Sequence, residues 1–159
     1  MSIKIIPIEQ DFLARVRNQQ LDDQSQPVER FYSAEGGEPC RDVLRRSRPG
    51  EEVILASYSP FAKVGPYKEY GPVFILANHS AETVRLDILP IPETSSSDYF
   101  SQQLVLRAYN YKETMVDSVL VSASEACDTA EDFLLNPEVA FVQGRFPTAG
   151  CFACRIERA

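Results

Sequence analysis

The cysteines are the residues whose type and spacing first suggest chemistry. Cys151 and Cys154 form a C-x-x-C near the C-terminus, whereas Cys40 and Cys127 stand alone. A C-x-x-C can be half of a zinc site or a redox pair, but both uses need the two sulfurs to converge. The segment has the pattern of a strand, in which side chains three residues apart point to opposite faces. The spacing therefore favours small structural thiols over a metal or redox pair.

Cys40 is the best candidate for a nucleophile, because it follows a proline at the end of a loop and precedes Arg41. A neighbouring cation stabilises a thiolate, and a helix starting at residues 41–46 would do the same through its N-terminal end. A cysteine nucleophile needs a base, and His79 is the only histidine. The alternatives are a catalytic Cys40/His79 dyad and a metal site of these two residues with a C-terminal cysteine. The metal site ranks below the dyad, and no metal or cofactor is predicted.

A second candidate site combines strand arginines with an aromatic loop. Arg107 lies in the apolar stretch LVLRAYN, and Arg145 lies in VQGRF. Arginine inside a strand is costly unless it is paired or meets a ligand, and a guanidinium can hold a carboxylate or phosphate through two hydrogen bonds. The Pro- and Gly-rich loop at residues 59–72 could cover such a site. The residues predicted to bind a small anion are Arg41, Phe61, Tyr67, Tyr70, Arg107, Tyr109 and Arg145. The plainer alternative is that these arginines pair with some of the 23 acidic residues.

The hydrophobic pattern predicts the elements that position these residues. A short edge strand at residues 3–8 and an amphipathic helix at 9–20 precede a long polar connection at 18–39. A capping box at Ser122 and Glu125 opens the clearest helix. Residues 92–98 have the composition of a polar loop. Further strands are predicted at residues 53–58, 73–77, 84–89, 104–111, 115–122, 139–146 and 151–158.

The order of these elements indicates the fold class. Strands that come in runs, rather than alternating with helices, are typical of α+β proteins. We expect a mostly antiparallel sheet of seven or eight strands with two or three short helices, either open or closed into a barrel. A length of 159 residues suits a single domain over residues 1–159.

Composition limits the partners that the chain can have. The net charge of −7 repels phosphate backbones and anionic lipids, and acidic residues interrupt the one basic patch, at residues 41–48. The N-terminus lacks the pattern of a signal peptide, and no apolar run approaches the roughly 20 residues of a membrane span. We therefore expect a soluble cytoplasmic protein with free thiols that binds neither nucleic acid nor membrane. Its oligomeric state stays open.

Several phrases of the sequence together resemble a known family. The phrases are EPCRDVLR (38–45), PGEEVILASYSPF (49–61), GPYKEYGPVFILA (65–77), LVLRAYN (104–110) and GCFACRIER (150–158). In this order they resemble the uncharacterised bacterial family called domain of unknown function 1203, over residues 38–158, leaving residues 1–37 as an N-terminal strand, helix and polar connection. The resemblance implies a small, mostly cytosolic bacterial protein without an assigned activity. The family pattern often has a second cysteine where this chain has Val43, and an aromatic residue in place of Cys154.

Two functions follow from these residues. The first is a non-catalytic module that binds a small anionic ligand or a protein partner through the 59–72 loop and the strand arginines. The second is a cysteine-dependent enzyme with Cys40 as nucleophile and His79 as base. The sequence favours the first, because it contains none of the phosphate-loop, nucleophile-elbow or metalloprotease motifs.

Overall fold

The computed structural model describes residues 1–94 and 98–159 and builds the chain around two five-stranded sheets. The helices are α1 (Gln10–Asn18) and α2 (Ala126–Leu135), and a short 3-10 turn at Ala123–Glu125 precedes α2. The strands are β1 (Ile3–Ile6), β2 (Glu29–Tyr32), β3 (Pro39–Cys40), β4 (Arg45–Arg46), β5 (Glu52–Tyr58), β6 (Gly71–Leu76), β7 (Gln103–Asn110), β8 (Met115–Ser122), β9 (Val139–Arg145) and β10 (Phe152–Arg158).

The first sheet is antiparallel throughout and has the strand order β1-β10-β9-β7-β8. Its strands alternate in the way expected of a sheet with one face in a core: Leu104, Leu106 and Ala108 of β7 are fully buried. They share the largest core cluster with Ala126, Ala130 and Leu134, which recur every fourth residue along α2. Burial of these apolar residues is the main driving force for this half of the fold.

The second sheet has the order β2-β5-β6-β3-β4 and is mixed, because β3 runs parallel to β6 where Cys40 lies opposite Phe74. Helix α1 packs on it through Phe12, Leu13 and Val16. The ring of Tyr58 in β5 lies between the rings of Phe12 and Phe152, at centroid distances of 4.7 Å and 5.4 Å. Phe152 belongs to β10, so this aromatic row joins the two sheets.

The prediction of a mostly antiparallel β fold with two helices is confirmed, whereas a single sheet of seven or eight strands is wrong. The described residues form ten strands in two sheets, and one sheet is mixed. Strand β2 lies inside the polar connection predicted at residues 18–39. The sequence did not predict this strand, because all four of its residues are exposed and apolar and polar residues do not alternate in it. The short strands β3 and β4 were also not predicted, since two residues leave no periodic pattern.

The strand predicted at residues 84–89 is wrong, and the helix that would have placed Cys40 near its N-terminus does not form. Residues 84–89 form no strand, although the carbonyl of Leu86 accepts a backbone hydrogen bond of 2.7 Å from the amide of Ile5. The apolar side chains of this segment pack in the core instead, in which Leu89 is fully buried. Residues 41–44 form a turn rather than the start of a helix, and Leu44 adopts a left-handed φ of 51° there. Of the polar loop predicted at residues 92–98, positions 95–97 lie outside the described residues.

A β-bulge in β10 changes which faces the C-terminal side chains occupy. The register against β9 shifts between Phe152 and Cys154. As a result, Ala153 and Cys154 both lie in the core beneath the first sheet, whereas Phe152 packs with the core of the second. The alternation expected for an unbroken strand is therefore wrong at this point. Cys154 is nevertheless a buried core thiol, as the sequence predicted.

Two leucines on neighbouring strands of the first sheet test which face of β7 lies in the core. Leu106→Ala removes a fully buried side chain and should lower the free energy of unfolding by about 2–5 kcal/mol. Leu120→Ala, on the neighbouring strand β8, changes a side chain that is 55% exposed and should cost less than about 1 kcal/mol. Urea unfolding followed by circular dichroism measures both. Equal losses for the two variants would contradict the assignment of the β7 face to the core.

Candidate functional site

A cavity of about 370 Å³ lies where the β3–β4 hairpin meets the turn between β9 and β10. Its walls are mostly apolar and are formed by three prolines, two phenylalanines and an alanine. The polar contributions come from two arginines, a cysteine, a threonine and a serine. The lining residues are Pro39, Arg41, Arg46, Pro72, Phe74, Ser101, Phe146, Pro147, Thr148, Ala149 and Cys151.

Arg41 is the least exposed polar residue of this cavity, at 3% of its full surface. Its Nε donates to the carbonyl of Phe152 at 2.8 Å, and its Nη1 donates to the carbonyl of Pro39 at 2.6 Å. Within the described residues, no carboxylate lies within 4.0 Å of its guanidinium, and Nη2 donates no hydrogen bond. Burial lowers the pKa of Arg41 from its ordinary value. The side chain is thus a buried cation held by neutral groups.

Arg46 brings a second cation to the same cavity. Its guanidinium donates to three backbone carbonyls, those of Gly37 at 2.7 Å, Asp98 at 2.8 Å and Tyr99 at 3.3 Å. The ring of Phe146 lies beneath both arginines, 5.8 Å from Arg46 and 5.1 Å from Arg41. The charge of Arg46 adds to burial in lowering the pKa of Arg41, because two like charges repel. An anion bound between them would relieve that repulsion.

Two turns place these side chains at the cavity. The amide of Arg41 donates to the carbonyl of Phe74 at 2.9 Å, which fixes the start of the β3–β4 turn on β6. On the other side, Gly150 adopts a φ of +74°, a conformation that glycine takes without strain. Its amide donates to the carbonyl of Phe146 at 2.8 Å and closes the β9–β10 turn. Cys151 follows directly and lines the cavity.

A second cluster lies on one face of the first sheet and contains most of the residues predicted to bind an anion. Arg107 lies opposite Gln143 in the β7–β9 pair, and Arg145 follows two positions later on the same face. Arg145 is 4% exposed and donates to Oε1 of Gln143 and to the carbonyl of Gly150. Its Nη2 also contacts the carboxylate of Glu69, while Nη1 of Arg107 lies 4.0 Å from the same carboxylate.

The 59–72 loop covers this second cluster. Phe61 is buried against Tyr109, with ring centroids 5.2 Å apart, and Tyr67 meets Tyr109 at 6.4 Å. Tyr70 is exposed and lines a smaller cavity of about 180 Å³ together with Glu69 and Arg145. Glu69, from the loop itself, therefore takes the place next to Arg145 that the sequence assigned to an external anion.

The predicted site residues thus fall into two groups. Phe61, Tyr67, Arg107, Tyr109 and Arg145 lie together, with Tyr70 at their rim, and Arg41 lies in the larger cavity. Three residues, Pro72, Ala149 and Cys151, line both the larger cavity and the smaller one, so the two groups share a wall. Within the described part of the chain, Nε2 of Gln143 is the only buried side-chain nitrogen or oxygen without a hydrogen-bond partner.

The surroundings of Cys40 oppose the proposed dyad, which stays a prediction. Cys40 is fully buried, and burial, followed by the charge of Asp42, raises the pKa of its thiol to about 12. Residues 41–46 form a turn and a two-residue strand, so no helix N-terminus lies next to Cys40. His79 is exposed and lines a separate cavity of about 220 Å³. Over residues 1–94 and 98–159, no three His, Cys, Asp or Glu side chains are grouped so that they could hold a metal ion.

Sequence reasoning missed Arg46, Phe146, Cys151, Glu69 and Gln143 as members of these sites. The basic patch at residues 41–48 indicated that arginines cluster in this part of the chain. The partners of the individual arginines differ, however, and only the fold reveals them. Arg45 pairs with both Glu51 and Glu82, as expected of a solvated patch. Its neighbour Arg46 binds only carbonyls and faces the cavity.

Fold and site together define the class: a two-sheet α+β protein with an arginine-lined apolar cavity between the sheets. A family model described as protein of unknown function (DUF1203) matches residues 37–158, and the chain belongs to that family. The match contains both the larger cavity and the Glu69 cluster, while β1, α1 and β2 lie outside it. No curated protein and no solved structure matches the chain. In the described residues, neither helix has the length and hydropathy that crossing a bilayer requires.

The burial of the four thiols predicts their reactivity. In the native protein at pH 8, iodoacetamide should label Cys127 and Cys151, which are partly accessible, and leave Cys40 and Cys154 unlabelled. Peptide mapping by mass spectrometry locates the label, and protein unfolded in urea serves as the control in which all four react. Rapid native labelling of Cys40 would contradict its raised pKa and would restore the dyad hypothesis.

The two buried thiols also predict a dependence of stability on alkaline pH. Burial raises the pKa of Cys40 and of Cys154 to about 12, whereas a thiol in the unfolded chain ionises near ~8.5. The unfolded state therefore binds fewer protons between these values, so stability is full below about pH 8.5 and falls toward pH 12. Each thiol should contribute a slope of about −1.4 kcal/mol per pH unit.

Urea unfolding at several pH values from 8 to 11 measures this slope. Cys154→Ala and Cys40→Ala should each show a shallower decline than the parent protein, whatever their stability at neutral pH. Identical slopes in the parent and in both variants would contradict the assigned burial of the thiols.

Proposed function

We propose that the chain binds a small anionic ligand, a carboxylate with an apolar body, in the cavity over Arg41 and Arg46. The observation that carries this proposal is the buried guanidinium of Arg41, which has hydrogen bonds only to carbonyls and, in the described residues, no carboxylate partner. Buried cations are usually paired, because desolvation of an unpaired charge is costly. A ligand carboxylate would supply the missing partner.

The walls of the cavity support a ligand with an apolar body. A volume of about 370 Å³ falls within the range of small-molecule sites, and three prolines and two phenylalanines supply most of the lining. The planar guanidinium groups suit a carboxylate, which can accept two parallel hydrogen bonds from one arginine. Thr148 and Ser101 add hydroxyl groups that can orient further polar atoms of the ligand.

The Arg145 cluster is the weaker of the two candidate anion sites. There the carboxylate of Glu69 already neutralises Arg145 and lies near Arg107. An external anion would have to displace Glu69 and move the loop that carries it. The Arg41 cavity requires no such displacement. A cytoplasmic location, expected from the sequence, is part of the proposal, and the activity is binding without an assigned reaction.

A set of matched ligands tests the charge requirement. The probes are 3-phenylpropionate, its neutral amide and 3-phenylpropylammonium, each added at millimolar concentration and followed by isothermal titration calorimetry. The carboxylate should bind, and the amide and the ammonium should bind at least about tenfold more weakly, since a buried charge pair contributes more than about 1.4 kcal/mol. Equal binding of all three would contradict the anion site.

Two arginine substitutions test where the ligand binds. Arg46→Gln should weaken 3-phenylpropionate at least about tenfold, because it removes one of the two cavity charges. Arg107→Gln, in the Glu69 cluster, is the matched control and should leave the affinity unchanged. The reverse order of effects would move the site to the 59–72 loop.

A further inference from the structure

Cys151 occupies a distinct position among the four cysteines, because it alone lines the Arg41 cavity. It is partly exposed, and it also lines the neighbouring cavity that contains Arg145. The backbone on both sides of it is held by buried arginines. Arg145 Nη1 donates to the carbonyl of Gly150 at 3.0 Å, and Arg41 Nε donates to the carbonyl of Phe152 at 2.8 Å. Arginines therefore hold the backbone on both sides of Cys151; Arg145 is paired with Glu69, whereas Arg41 has no carboxylate partner among the described residues.

The charges around this thiol favour an anionic reaction partner. Cys151 and Arg41 line the same cavity. Arg46 lines the same cavity, and no carboxylate of the described residues pairs with either arginine. Nη2 of Arg41 donates no hydrogen bond within the described residues, and Arg41 lines the cavity, so this nitrogen is available to a ligand.

We propose that Cys151 undergoes thiol–disulfide exchange with small anionic disulfides that Arg41 and Arg46 hold in the cavity. This inference rests on the proposed anion site and names a substrate class for it. The Cys151 thiol loses its proton to solvent, and the resulting thiolate attacks one sulfur of the disulfide. A bond forms between Sγ and that sulfur while the original S–S bond breaks, and its electron pair leaves on the distal sulfur, which takes up a proton. Cys151 is thereby oxidised to a mixed disulfide, and one half of the reagent is reduced to a thiol.

Cys127 provides an internal control of opposite charge. It is partly accessible like Cys151, but burial and the nearby acidic residues Asp128, Glu131 and Glu93 raise its pKa. An anionic disulfide should be disfavoured there. Cys40 and Cys154 are buried and should not compete in the native protein.

The experiment compares three aliphatic disulfides of similar size: 3,3′-dithiodipropionate (anionic), bis(2-hydroxyethyl) disulfide (neutral) and cystamine (cationic). Exchange is followed by intact mass spectrometry on the Cys127→Ser protein, which leaves Cys151 as the accessible thiol. Each rate is divided by the rate of 2-mercaptoethanol with the same disulfide, so that differences between leaving groups cancel. The normalised rate with the anionic reagent should exceed that with cystamine by about tenfold at low salt. At 1 M NaCl the preference should fall to about two or below, because salt screens exposed charges.

Two substitutions of Arg46 test whether the preference for the anionic disulfide arises in the cavity. Arg46→Gln should remove most of the preference for the anion, and Arg46→Lys should retain most of it, with thermal melts confirming that both are folded. The Cys151→Ser protein reports on Cys127, which should prefer cystamine. A normalised ratio near one at Cys151, or the same ratio at Cys151 and Cys127, would overturn the proposal. If Arg46→Gln does not fold, the salt dependence in the Cys127→Ser protein gives the same decision.

Failure of the exchange can be separated from failure of the anion site. The Cys151→Ser protein lacks the thiol but keeps both arginines, so binding of 3-phenylpropionate to it tests the anion site alone. If 3-phenylpropionate binds but Cys151 shows no preference for the anionic disulfide, the exchange proposal is overturned and the anion site is retained. If 3-phenylpropionate does not bind and Cys151 shows no preference, both proposals are overturned.

Discussion

The hydrogen bond from the buried Arg41 guanidinium to the carbonyl of Phe152 joins parts of the chain that are 111 residues apart. Arg41 follows β3 in the second sheet, and Phe152 opens β10 in the first. The bond satisfies a backbone carbonyl at the point where the β10 register shifts, which would otherwise lose a partner. Removing the donor would leave both that carbonyl and the cavity wall unsupported. The position of the cavity therefore depends on this contact between the two sheets.

The cost of burying Arg41 explains much of what surrounds it. A cation out of water is tolerated only when polar groups replace its hydration, and two carbonyls and an aromatic face do so here. These partners are neutral, so they orient the charge without cancelling it. Arg145 shows the other solution, in which a carboxylate from the 59–72 loop cancels the charge. The two arginines flank the same short segment, Gly150–Phe152, and differ in whether the chain itself supplies their anion.

The sequence predicted the regular parts of the fold better than the site. The helix at residues 126–135 and the strands around it follow from apolar spacing, because a single core dictates that spacing. It also grouped Arg107, Tyr109 and Arg145 in one candidate site, and the structure places them together. It did not predict that Arg45 pairs with carboxylates while Arg46 faces the cavity, because two adjacent arginines look alike in a sequence whatever their tertiary partners are. Nor did it reveal the bulge in β10, which reverses the faces on which strand periodicity depends.

The cavity shows how unevenly charge is distributed in this chain, whose net charge is −7. Acidic residues pair with many of its arginines, yet the two in the cavity carry charges that no proton equilibrium near neutral pH removes. The charge that the two arginines contribute to any complex there would thus be constant across the physiological range. Occupancy would follow the acid strength of the guest: a weak acid would enter as its anion and leave as it became protonated. The cavity would in that way discriminate among compounds of equal shape by their ionisation alone.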